Sequence, residues 1–173
     1  MKRIVLAASL AACTHNADIG IDDQPVSCMP NAASAAEAHG TITNPSNGQS
    51  YSFGDTSVAL RFMPISVTLS SFVATDLAAA MNINFLCGQP TVDTYAAEGV
   101  SQQTIDCPLS VATDLTAQAT SVPFADASGG TIIVDENVSC LAGRFAVKFD
   151  HASNPNGGGS RGELVGWFSV PWQ

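Results

Sequence analysis

The sequence predicts an all-β protein, a single antiparallel β-sandwich, and three observations carry that expectation. Apolar residues alternate with polar ones over short runs, as in Val58-Leu60-Phe62, Ile65-Val67-Leu69 and Ile83-Phe85-Cys87, which is the period-two pattern of half-buried strands. Gly, Pro and Asn punctuate these runs every few residues, as turn chemistry requires. Helix formers line up in few places, so strands joined by turns account for most of the chain.

The amino terminus stands apart. Lys2 and Arg3 precede nine uncharged, mostly apolar residues, Ile4 to Ala12, which is the layout of an export signal. At about 1.5 Å per helical residue that run reaches less than half of a hydrocarbon core roughly 30 Å thick, so it is no transmembrane span. Its end, Leu10-Ala11-Ala12-Cys13, resembles the lipobox of bacterial lipoproteins: an aliphatic residue, two small ones and the cysteine that is acylated. The resemblance covers thirteen residues and implies that residues 1–12 are a signal peptide and that Cys13 becomes the lipidated (palmitate-bearing) terminus. Two or more acyl chains attach a protein stably to a bilayer, whereas one is marginal. Thr14 stands where an aspartate would resemble an inner-membrane retention signal, so the outer membrane is the favoured address. The alternative is an ordinary secretory leader cut near Ala12.

Residues 13–39 read as a lipidated, flexible tether, polar and containing Pro25 and Pro30. Within it, Ala32 to Ala38 has the composition of two helical turns, too short to be stable without packing. The sandwich domain is expected over 40–173. It opens with Gly40 to Thr43, a turn at Asn44-Pro45-Ser46-Asn47-Gly48 and a strand from Gln49 to Phe53, a hairpin signal. Pro64 separates the two alternating runs that follow. Thr75 to Met81 is the best helix candidate, since Thr75 or Asp76 offers a cap and Ala78-Ala79-Ala80 favours helix. Alternation returns at Ile83 and ends at Gly88-Gln89-Pro90. Thr104 to Cys107 and Leu109 to Thr113 are weaker strand candidates, and Thr131 to Val134 is a clearer one.

Two segments near the carboxyl end match each other, Gly143 to Phe149 and Gly166 to Trp172, both Gly-x-Phe-x-Val-x-aromatic. Asn, Pro, Gly and Ser crowd the stretch between them, so they read as a hairpin presenting Phe145, Val147, Phe149 and Phe168, Val170, Trp172 on one face. This Gly-x-Phe strand ending resembles uncharacterised β-sandwich lipoproteins of bacteria over about thirty residues, and the likeness implies no activity.

Only 12% of the residues are charged, about half the usual share; 18 Ser and 13 Thr take their place. Loss of Lys2 and Arg3 leaves four basic against 15 acidic residues and moves the formal charge from −9 to −11. This argues against nucleic acid and anionic lipid surfaces as partners, because both need Lys and Arg against phosphate, and leaves cations, sugars and proteins open. With Cys13 assigned to lipid, Cys28, Cys87, Cys107 and Cys140 form an even set with three possible connectivities in an exported chain. The preferred pairing is Cys87 with Cys107 and Cys28 with Cys140; one or both pairs left reduced is the alternative. None has the C-x-x-C spacing of a zinc or redox site.

No catalytic constellation stands out and no cofactor is implied. His15, His39 and His151 lack metal-ligand spacing, and no Gly-x-Ser-x-Gly elbow occurs. Asp106, Asp135, Glu136 and Glu163 qualify for paired-carboxylate hydrolysis by type alone. The loop from Asp150 to Gly157 carries hard oxygen ligands without the calcium-loop register. Trp167 and Trp172 should fall on opposite faces of the last strand, with Trp167 the exposed one and a weak candidate for glycan or protein contact. The expected function is thus a lipid-anchored cell-envelope protein whose sandwich binds or supports a partner without catalysis, held to the bilayer through Cys13 and meeting an envelope protein or glycan. A carbohydrate-active hydrolase and a calcium-stabilised adhesion module are the alternatives.

Overall fold

The computed structural model describes residues 20–43, 48, 50–54, 56–62, 65–73, 76–87, 89–98, 100–101, 107, 109–114, 116–117, 120–121, 125–150 and 161–172. Apart from one 3-10 turn at Pro30–Ala32, the regular elements among these residues are strands. The first sheet sets β1 (Ala35–Thr43), β2 (Ser50–Phe53), β6 (Asp93–Glu98), β12 (Ser128–Glu136), β13 (Cys140–Phe149) and β14 (Arg161–Pro171) in the order β2-β1-β14-β13-β12-β6. The second contains β3 (Thr56–Arg61), β4 (Ile65–Val73), β5 (Asp76–Phe85), β8 (Leu109–Asp114) and β11 (Ala125–Asp126) in the order β11-β8-β5-β4-β3, with β7 (Val100–Ser101) also pairing β8. A short ladder joins β9 (Thr116–Ala117) to β10 (Thr120–Ser121). All pairings are antiparallel, and the two large sheets pack face to face as the alternation predicts.

The core lies between the sheets. Ile42, Leu164, Phe168, Phe145, Val147, Ile132 and Tyr95 project from the first sheet, and Val67, Leu69, Met81, Ile83, Phe85 and Val111 from the second. Phe85 and Tyr95 meet edge to face across the layers, with ring centroids 5.7 Å apart, a favoured aromatic geometry. Thr68, Ser70, Asn82 and Asn84 alternate with these apolar side chains along β4 and β5, and Thr68 donates to Asn82 over 2.7 Å. Uncharged hydroxyls and amides on the outer face explain how the chain stays polar outside with so few charges.

The two Gly-x-Phe segments form the expected hairpin at the centre of the first sheet. Their register sets Phe145 opposite Gly166 and Phe168 opposite Gly143, so each aromatic ring stands across from the glycine of the other segment. A Cβ on Gly166 would lie 2.0 Å from the Glu37 carbonyl oxygen, and one on Gly143 would lie 2.3 Å from that of Ile133. Both glycines are therefore required by backbone approach from a neighbouring strand.

Two expectations are corrected. The Thr75–Met81 helix candidate is strand instead: β5 pairs with β4 from Asp76 onward, with Leu69 facing Met81. Alanine favours helix by only a few tenths of a kcal/mol over most residues, and a run this short cannot offset helix nucleation; continuing the β4–β5 pairing satisfies the same backbone with Met81 and Ile83 buried. Likewise the alanine-rich run gives no helix. β1 begins at Ala35, so residues 35–39, placed in the tether by the sequence reading, belong to the sheet and pair with β14. The preceding residues from Gly20 lie across the outer face of the first sheet as a strap.

Cys28–Cys140 ties this strap to the start of β13, and Cys87–Cys107 links the end of β5 to the start of β8. Both are the preferred pairs. No helix of the described residues is long and apolar enough to cross a membrane.

Candidate ligand-binding site

Period-two geometry sends Glu163, Val165, Trp167 and Ser169 of β14 to the outer face, away from Leu164, Phe168 and Val170. The registers place Trp167 between Glu37 of β1 and Arg144 of β13, and Val165 between His39 and Ala146. Residues far apart in the chain thus form one polar row around an indole.

The row is held by specific contacts. Trp167 donates its Nε1 hydrogen to Glu37 Oε2 over 3.1 Å, and Glu37 Oε1 lies 2.6 Å from His39 Nε2. Arg144 grips Asp135 through Nε to Oδ2 at 3.1 Å and Nη2 to Oδ1 at 3.2 Å. That pair is nearly buried, at 13% and 6% side-chain exposure, where removal of one partner alone strands a charge.

The strap lies over these groups. Val26 N donates to Asp135 Oδ2 and Cys28 N to Glu136 Oε2, each over 3.0 Å, and Met29 N donates to Ser169 Oγ over 3.1 Å. Arg144 also donates to the Asp22 carbonyl. Ser169 is fully buried on what is otherwise the outer face, because the strap covers it and satisfies its hydroxyl.

Between strap and sheet is a pocket of about 310 Å³, walled by Asp22, Gln24 and Val26 on one side and by Glu37, His39 and Trp167 on the other, with Arg144 and Val165 at its base. The Trp167 hydrogen bond, then the His39 hydrogen bond and charge, hold the Glu37 carboxyl below its ordinary value near 4.5, against a small opposing desolvation. The pocket thus joins one aromatic ring and two valines to carboxylate, imidazole and amide groups, which suits a ligand with both apolar and hydrogen-bonding surface.

Trp167 lies in the pocket, half-buried. Trp172 turns the other way and donates to the Asn137 carbonyl over 3.1 Å, packed against the core. The described candidate hydrolytic carboxylates each have a protein partner: Asp135 is held by Arg144, Glu136 accepts from Cys28 N and from Ser139 Oγ at 3.0 Å, and Glu163 lies 3.3 Å from Lys148. Asp150 lies 3.9 Å from Arg161 at the other end of the hairpin, beside a hollow of about 610 Å³. Cys28, Glu136 and Cys140 have potential metal-ligand atoms within 4.8 Å of one another, but both sulfurs are joined in the disulfide. Cys13, His15, Asp106 and His151 lie outside the described residues.

Sequence reasoning passed over Glu37, His39 and the strap as parts of this site. The missed signal is the alternation Ala36-Glu37-Ala38-His39-Gly40-Thr41-Ile42, a strand pattern that alanine's helix propensity obscured.

Fold and pocket together define a disulfide-linked, all-β sandwich whose amino-terminal strap roofs a small amphipathic pocket. In comparison with known proteins, the chain matches no family model, no curated protein and no solved structure.

Proposed function

We propose that the chain is a cell-envelope lipoprotein, exported by residues 1–12, acylated at Cys13 and favouring the outer membrane, whose sandwich is a non-enzymatic binding module. The observation that carries this reading is the cysteine pairing: Cys28–Cys140 and Cys87–Cys107 account for four of the five cysteines and leave Cys13, the residue at the lipobox position. Two disulfides suit an oxidising compartment outside the cytoplasm. What favours binding over hydrolysis is that Asp135, Glu136 and Glu163 each hold a protein partner and none of the three lines the pocket beneath the strap.

Six residues lie between Cys13 and Gly20, so the two are joined by at most about 25 Å of extended chain. A lipid on Cys13 therefore keeps the pocket close to the bilayer. Metabolic labelling with a palmitate analogue tests the anchor. Label is expected in the wild type and not in Cys13→Ser; equal labelling of the two, or none in either, refutes the assignment.

A further inference from the structure

Resting on the binding-module reading, we propose that the pocket beneath the strap takes a neutral saccharide unit, with one sugar face against Trp167 and its hydroxyls on Glu37, His39 and Gln24. Three features of the pocket select this class of ligand. Its volume of about 310 Å³ stands at the small end of ligand sites, the scale of one or two sugar rings. The Trp167 ring is fixed by its hydrogen bond to Glu37 and by the strand beneath it, so an aromatic plane is presented with little further loss of freedom. Weakly positive C–H groups on a pyranose face complement the negative face of an indole.

The polar lining is mixed rather than of one sign. Glu37 and Asp22 accept, His39 and Gln24 both donate and accept, and Arg144 is neutralised by Asp135. A hydroxyl donates and accepts at one atom, so a sugar uses both kinds of partner. Anionic ligands meet Asp22 and Glu37 in a chain of formal charge −9. A cation uses only the remaining lone pairs of the Glu37 and Asp22 carboxylates and leaves the donors of His39 and Gln24 unmatched, whereas a hydroxyl engages both kinds of group.

The test uses the full chain with its disulfides intact and a panel of methyl glycosides of glucose, galactose, mannose and N-acetylglucosamine, with tetramethylammonium and glucuronate as charged probes. Binding is read by saturation-transfer NMR and by tryptophan fluorescence in a Trp172→Phe background, which leaves Trp167 as the sole indole. At least one neutral glycoside should saturate with a Kd of roughly millimolar or tighter. Trp167→Ala should weaken it by about tenfold or more, Trp167→Phe should retain part of it, and Gln24→Ala should weaken it with the fold intact by circular dichroism. Glycoside binding that is indifferent to both Trp167→Ala and Gln24→Ala overturns the site. Binding of tetramethylammonium or glucuronate alone overturns the ligand class and leaves the binding module standing. If no probe binds, the saccharide site falls, while the binding-module reading, which also admits a protein partner, and labelling at Cys13 are read separately.

Discussion

Glu37 shows what single residues decide here. Its carboxylate is exposed, so its lowered pKa comes from the Trp167 and His39 contacts rather than from burial. A depressed carboxyl stabilises the folded state above the unfolded pKa, and that contribution is lost as pH falls through the folded value. The transition should therefore lie below about pH 4.5, where protonation weakens the bond to the indole. In the Trp172→Phe background, Trp167 emission should change in that acid range and stay level just above it, and Glu37→Gln should abolish the change. A transition of the same amplitude in Glu37→Gln would assign it to another group. Gly143 and Gly166 act at the same scale, because each admits a neighbouring backbone that any side chain would displace.

Among the elements, the strap is the least conventional. Its backbone donates to side chains, Asp135, Glu136 and Ser169, instead of joining the sheet as a strand. Such attachments are few, and the disulfide from Cys28 to Cys140 fixes one end of them. The loop it closes spans 112 residues, for which chain entropy gives about 4 to 5 kcal/mol, the mechanism being model-dependent. Replacing both cysteines by serine should lower unfolding stability by about 2 to 5 kcal/mol in urea and open the strap to protease before the sheets. Unchanged cleavage of the Gly20–Met29 segment in the double variant would show that the hydrogen bonds hold it alone. β5 carries the complementary lesson, since pairing with β4 and β8 outweighs the helix preference of three alanines.

At the scale of the whole molecule, the fold closes by joining distant parts of the chain. β1 pairs with β14 from Ala35–Ser169 to Thr43–Arg161, so the first sheet cannot be completed until the carboxyl-terminal strand is present. Topologies dominated by such distant pairings fold slowly, because loop closure precedes the contacts that reward it. Deleting residues 161–173 removes the central strand between β1 and β13, and with it Leu164, Phe168 and Val170 from the core. The truncated chain should lose its cooperative thermal transition by circular dichroism; a retained transition would mean that the second sheet folds by itself.

Much of this architecture was legible in the chain, for a definite reason. Alternation with period two is a local property, and it marked β3, β4, the end of β5, β13 and β14 because their inward residues are large and apolar. β6 and the part of β1 ahead of Gly40 were passed over because their inward positions include Ala36, Ala38 and Ala97, whose small side chains give little contrast with their neighbours. Cysteine number and spacing likewise indicated two bridges. The sequence by itself therefore determined the strand class, the core-facing residues of the strongest strands and the lipobox-like start. The pocket was decided by tertiary structure: Asp22, Glu37, Arg144 and Trp167 come from the strap and three strands, and only strand register and the lie of the strap bring them together.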